Sequence, residues 1–242
     1  MSDTIQNRFL QVKHRIEQAC DKSGREHGDV KLIVVTKGHS AASIMEVIKA
    51  GAIILGENYP EETIRKIGEI ETEVHPSWHM IGHLQSRKIK MMHPSFSCIH
   101  SVDSVELAQK VNRYYHENNS NIDVLLEVNI TGEESKYGFD ASSEIKREQL
   151  LFDLEKIVFL PNLRAVGLMI MPPYAEVPTQ NEECYNLCNE FCNKIRKKFD
   201  LSQFRQLSMG TSADFENAIK CGATYVRVGE AIMGKRIYPI KP

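Results

Sequence analysis

Along the 242 residues, short runs of β-branched and aliphatic residues alternate with longer stretches in which apolar positions recur every three to four residues. The first pattern belongs to buried strands and the second to amphipathic helices. The opening segment, MSDTIQNRFLQVKHRIEQAC, has the helical spacing. KLIVVTK over 31–37 predicts a first strand; the helix SIMEVIKAG follows, with Gly51 as its stop. AIILGEN over 52–58 is the second strand and EETIRKIGEIE its helix, and WHMIGH around 78–83 is the third, with LQSRKIKMM supplying a turn and helix. FSCIHSVD over 96–103 forms the fourth, and Asp103 or Ser104 can cap the helix SVELAQKVNRYYHEN by accepting from its first-turn amides.

NIDVLLEVNI is the fifth and clearest strand. A polar segment, TGEESKYGFDASSE, leads into the helix REQLLFDLEKIVF, which Pro161 closes. LRAVGLMIM is the sixth strand, followed by a long loop with Pro172, Pro173 and Pro178 and the helix NEECYNLCNEFCNKIRKKF. FRQLSMG, the helix SADFENAIKCG and ATYVRVG complete the series. Strands alternating with helices build a parallel sheet, and about eight such units in this length predict a single-domain (β/α)8 TIM barrel over residues 1–242 with an extra N-terminal helix. An open doubly wound sheet is the alternative.

Composition narrows the functional classes. At 42% hydrophobic and 26% charged residues the chain has ample material for a core and no signature of disorder. A net charge of -2 gives no field that would gather nucleic-acid phosphates or an anionic membrane surface, so neither partner is expected. No stretch approaches the ~20 apolar residues of a membrane span. The N-terminus shows no apolar signal core or cleavage pattern, which predicts a cytoplasmic protein; a mitochondrial location stays open without a clear transit-peptide pattern. No long apolar helix or tail is left over for an interface, so a monomer is expected. Cys184, Cys188 and Cys192 share one helical face and read as packed small hydrophobes. They do not read as a metal site, for no histidine lies near them to complete a zinc set.

Barrel sites gather at the C-terminal ends of the strands. Lys37, Glu57, Asn58, His83, Ser101, Asp103 and Asn129 fall there, as do Ser208, Thr211 and Ser212 after the seventh strand and Arg227 with Gly229 at the eighth. Lys37 follows the apolar run LIVVT, a setting that disfavours an ammonium and favours a nucleophilic amine of the Schiff-base kind. The alternative is a solvated strand terminus. Thr211 and Ser212 at a helix start offer hydroxyls and exposed amides to an anion, and Gly229 lets backbone approach it from the other side; by the simpler reading, Ser212 is only a helix cap. GEAIMGK over 229–235 has P-loop spacing, but Arg236 stands where the magnesium-binding hydroxyl belongs, so that motif is rejected. His79 and His83 have the spacing of a helical metal pair on a segment that reads as strand, and no metal is expected. His79 reads as structural, while His83 facing the pocket is left even.

LIVVTKG, GENYPEE, WHMIGHLQSRK, SVDS, VLLEVNITGEESKYGF, VGLMIM and LSMGTSADFENAIKCGATYVRVGEAIMGKR, in that order over about residues 30–236, resemble the pyridoxal-phosphate homeostasis proteins, a family similar to the alanine racemase barrel domain. That resemblance implies pyridoxal phosphate as cofactor, held as a Schiff base on Lys37. It implies Asn58 and His83 lining the pocket and a phosphate cradle from Ser212 with the backbone around Arg227 and Gly229; the strand-end polar positions Ser208 and Thr211 are counted with them as cofactor-binding residues. It also sets Arg227 against the pyridine nitrogen. Thr36 and Thr211 depart from the family's commoner serine and methionine, and the added hydroxyl at 211 could supply another phosphate donor.

An arginine at that nitrogen cannot surrender a proton, which leaves the ring a weak electron sink. Racemisation needs acid/base groups on two faces of the substrate carbon, and in the alanine racemase fold the second comes from a further domain. The expected function is therefore to buffer pyridoxal phosphate and pass it to apo-enzymes that depend on it, without robust catalysis and with no catalytic residue assigned. A slow amino acid racemase or lyase is the alternative, and a cofactor-free interaction barrel a third reading.

Overall fold

A computed structural model of the chain describes residues 3–173 and 177–235. Helix α1, Ile5–Lys22, is capped by the Thr4 side chain and buries Phe9, Val12, Ile16 and Ala19, a stripe at helical spacing. The barrel strands are β1 (Lys31–Val35), β2 (Ile54–Glu57), β3 (Ser77–Met80), β4 (Phe96–Val102), β5 (Ile122–Asn129), β7 (Leu163–Met169), β8 (Gln206–Ser208) and β9 (Tyr225–Val228). They pair in parallel in the order β4-β3-β2-β1-β9-β8-β7-β5, and the β4–β5 pairing closes the ring. The doubly wound alternative is thereby excluded. Most of these strands are buried along both faces, which is why they read as continuous apolar runs rather than alternating ones.

Around the ring lie α2 (Ala41–Lys49), α3 (Pro60–Glu69), α4 (Val105–Glu117), α5 (Glu144–Val158), α6 (Glu182–Lys198), α7 (Phe215–Lys220) and α8 (Glu230–Met233). The expected stop at Gly51 is a Schellman ending. Gly51 has φ +106°, its amide reaches Ile48 O and that of Ala52 reaches Val47 O. Ser104, rather than Asp103, caps α4. The Arg8 and Arg25 side chains donate to carbonyls of Ile232, Ile219 and Ala223, fastening α1 to the last units of the barrel.

Three expectations are corrected. The segment after β3 is a 3-10 turn, Ser86–Met91, not an α-helix. The polar stretch before α5 contains a two-residue strand, β6 (Phe139–Asp140), which pairs in parallel with the end of β5; so short a strand leaves no periodicity to read. β1 stops at Val35, so Lys37 sits in the following turn and not on the strand. Cys188 and Cys192 are buried on α6, with burial raising both thiol pKa values, in keeping with the packing reading. No helix among the described residues is long and apolar enough to cross a membrane.

Candidate functional site

A cleft of about 760 Å³ opens at the C-terminal mouth of the barrel, and Lys37, Asn58, His83, Thr211, Ser212, Arg227 and Gly229 all line it. Seven of the eight expected site residues therefore converge, although they come from five different βα units. Lys37 occupies the corner of a turn in which the His39 amide donates to Thr36 O at 3.1 Å and Gly38 takes φ +76°. A positive φ at the third position of such a turn is the setting for which glycine is suited.

Across the mouth, Ser212 Oγ accepts from the Ala231 amide at 3.4 Å, leaving its hydroxyl proton for an anion in the cleft. Thr211 differs from expectation. Its amide and hydroxyl both donate to Asp214 Oδ1, at 2.8 and 3.1 Å, so the extra hydroxyl braces the loop instead of adding a phosphate donor. Asp214 is itself fixed by Tyr185 Oη at 2.5 Å and Asn181 Nδ2 at 3.1 Å. A Cβ on Gly229 would approach Val35 Cβ to 3.3 Å, so the missing side chain there also serves strand packing. Arg236, on which rejection of the P-loop turned, lies outside the described residues.

Arg227, on β9, is 5% exposed and heavily tied. Nη1 donates to Ser208 Oγ at 2.6 Å, and Nη2 approaches Ile170 O at 2.9 Å and Met171 Sδ at 2.8 Å. Ser208 is thus a correction: it does not line the cleft but points into the barrel beneath it. Its oxygen also pairs with His100 Nδ1 at 2.9 Å, and His100 Nε2 with His79 Nδ1 at 2.9 Å. Since Arg227 can only donate, the serine proton goes to His100, which then donates to His79. Burial keeps both rings neutral, lowering His79 to about 3 and His100 well below the ordinary histidine value. His79 is therefore structural, as expected. Cys98 brings its sulfur near these two histidines, with all three potential ligand atoms within 4.8 Å of one another, and burial pushes its thiol pKa well up.

His83 does face the cleft. Its Nδ1 lies 3.0 Å from Asp103 Oδ2, and its ring stacks on Tyr137 with centroids 3.9 Å apart. Asn58 Oδ1 is buried without a partner, an acceptor held at the cleft wall. A Cβ on Gly82 would fall 2.6 Å from Asn58 Cγ, so the glycine lets that side chain lie where it does. Asn129 stays outside this group and closes its own loop by accepting from the Gly132 amide.

The profile of the alanine racemase N-terminal domain matches residues 10–237. A pyridoxal phosphate homeostasis protein of Haemophilus influenzae is 33% identical, covering 97% of each chain. That of Escherichia coli is also 33% identical, over the full length of both. The chain belongs to the pyridoxal phosphate homeostasis protein family. Among solved structures, an unknown protein from Bifidobacterium adolescentis superposes with a TM-score of 0.85 at 33% identity, covering 96% of this chain and 97% of its own. PipY of Synechococcus elongatus with pyridoxal phosphate bound gives 0.78 at 29% identity, covering 91% and 100%. An alanine racemase of Clostridium difficile, at 16% identity and a TM-score of 0.69, covers 93% of this chain and 56% of its own and shares the fold.

In this member of the homeostasis family a buried acid of the cleft escaped the sequence reading. Glu127, on β5, is 7% exposed and lines the cleft beside Arg227. Burial raises its pKa to about 7, with Asp103 adding to the rise and Arg227 opposing it. A carboxylate inside the otherwise apolar VLLEV run was the available signal. Because the native state holds this proton up to about pH 7 and the unfolded chain only to about 4.5, wild-type stability falls across that window as pH rises. In the apo-protein, Glu127→Gln should gain relative to wild type by up to about 3 kcal/mol between pH 4.5 and 8. Urea unfolding at pH 5 and pH 8 measures it; a difference that does not change with pH would refute the assignment.

Proposed function

We propose that the protein binds pyridoxal phosphate in the cytoplasm, holds it as a Schiff base on Lys37, and buffers or delivers it to apo-enzymes that depend on it. The observation that carries this reading is the convergence of an amine, an anion-binding hydroxyl and a buried guanidinium on one cleft in a family named for that cofactor. Further support comes from the relative solved with pyridoxal phosphate bound.

The residues present fit the group. Asn58 Oδ1 is an orphaned acceptor at the cleft wall, Ser212 keeps a hydroxyl proton, and Arg227 is a cation fixed in place. Lys37 would hold the carbonyl end, Ser212 with the amides around Gly229 the phosphate, and Arg227 the pyridine nitrogen. Bound pyridoxal phosphate supplies an aldehyde that condenses with amines and a ring that withdraws electrons. A guanidinium cannot protonate the ring nitrogen, which favours retention over electron-sink catalysis.

Borohydride reduction of the loaded protein followed by peptide mass mapping tests the attachment. A single pyridoxyl label on Lys37 is expected, and its absence there would refute the reading. Glu127 favours a second reading, a slow racemase or lyase, because a carboxyl with a pKa of about 7 in the cleft can take or give a proton. Incubation with L-amino acids in deuterated water separates the two: exchange of the α-proton at enzyme-like rates, lost in Glu127→Gln, would replace the carrier by an enzyme.

A further inference from the structure

The turn that carries Lys37 rests on buried charge rather than hydrocarbon. Glu57 at the end of β2 is fully buried, Lys66 on α3 is 1% exposed, and Glu62, one helical turn before Lys66, is mostly covered. The Lys66 ammonium lies 2.5 Å from Glu57 Oε1, 2.7 Å from Glu62 Oε1 and 2.7 Å from Thr36 O, so each of its three protons has an acceptor. The Thr36 hydroxyl donates to the same Glu57 oxygen at 2.7 Å, and the Gly38 amide donates to Glu62 Oε1 at 2.7 Å. Both neighbours of Lys37 in the chain are thereby gripped by one cluster.

Such an arrangement is costly. Burying three charged groups opposes folding before their attraction is counted, and well-packed hydrocarbon of the same volume often stabilises as well or better. Glu57 Oε2 adds a buried oxygen with no partner. Hydrocarbon, however, cannot hold one particular carbonyl and one particular amide at the same time. We propose that Lys66, with Glu57 and Glu62, is a positioning device that locks the Thr36–His39 turn so that the Lys37 amine is presented to the cofactor's carbonyl carbon. The inference rests on Lys37 being the attachment point.

The step served is a condensation. The Lys37 nitrogen bonds to the aldehyde carbon, the carbonyl oxygen leaves as water with both amine protons, and no oxidant or reductant takes part. Positioning acts on this step alone, so pyridoxine 5′-phosphate, which keeps the ring and phosphate but lacks the aldehyde, should not sense it.

Full-length Lys66→Met and Glu62→Ala proteins test the device. In both apo-proteins, hydrogen exchange at the Gly38 amide should accelerate at least tenfold, and the rate at which pyridoxal phosphate becomes trappable by borohydride should fall at least tenfold. Affinity for pyridoxine 5′-phosphate should stay within twofold of wild type. Trapping as fast as wild type in folded variants would overturn the proposal, and so would an equal loss of affinity for the aldehyde-free analogue, which would mark a merely structural role. If Lys66→Met does not fold, Glu62→Ala decides, since it removes only the partly covered carboxylate and leaves a one-to-one Glu57–Lys66 pair. Wild-type protein that gains no label on Lys37 would overturn the attachment reading and this proposal together, whereas labelled wild type with unslowed variants overturns this proposal alone.

Discussion

Lys37→Ala protein should purify folded but colourless, take up no pyridoxyl label after borohydride treatment, and bind pyridoxal phosphate about 100-fold more weakly or worse, a loss of about 2.7 kcal/mol or more. The fold should survive because the local hydrogen bonds that define the turn belong to Thr36, Gly38 and His39, while the Lys37 side chain lines the cleft. Removing it opens no cavity in the core. Ser212, Asn58 and Arg227 remain to hold the phosphate and ring, so residual binding should be reversible and its visible band absent. Absorbance spectra and equilibrium dialysis read the two effects, with thermal unfolding as the control. A visible band that persists, or a label that moves to no other lysine while affinity stays at the wild-type value, would show that Lys37 is not the anchor.

Gly167→Ala should be severely damaging. Gly167 on β7 pairs with Gln206 on β8, and a Cβ built on it would lie 1.8 Å from Gln206 O and 2.6 Å from its carbonyl carbon. Those are backbone atoms of a neighbouring strand, so no rotamer change relieves the clash. The two strands would have to part at the point where β8, only three residues long, joins β7 to β9. A loss above about 4 kcal/mol is expected, a large part of a domain's whole stability, with insoluble expression as the outcome. Gly68 on α3 is the matched control, since a Cβ there meets nothing within 4 Å. Gly68→Ala should stabilise by up to about 1 kcal/mol, because alanine is the better helix former. Chemical denaturation of the two variants side by side measures the contrast; a soluble Gly167→Ala protein with wild-type stability would contradict the pairing.

Most of the barrel was legible from the chain alone. Strands buried on both faces have to be apolar throughout, and the helices between them have to be apolar on one side, so the eightfold alternation is written locally at each unit. The errors fell where local pattern is thin. A 3-10 turn at Ser86–Met91 and an α-helix share apolar spacing over six residues, and a two-residue strand such as β6 has no period at all. The site was legible to the extent that it is made of strand ends. Lys37, Asn58, His83, Ser212, Arg227 and Gly229 all stand just at or beyond the C-terminal ends of runs that the sequence marks as strands, and the closed ring gathers them.

Pairing across the ring was decided only by the tertiary structure, because hydrogen-bond partners depend on which side chains the register turns inward. Ser208 was expected to face the cofactor and instead bonds His100, 108 positions away in the chain, and supports Arg227. Thr211 gives its hydroxyl to Asp214, Glu127 has its pKa raised to about 7 because the fold removes its water, and Lys66, which as sequence is one cation on an amphipathic helix, becomes the buried link between two carboxylates and the Thr36 carbonyl. Residue type and position along a strand are local properties and can be read from a chain. Desolvation and the choice of partner are properties of the closed barrel, and they separate the residues facing the cleft from those that hold them in place.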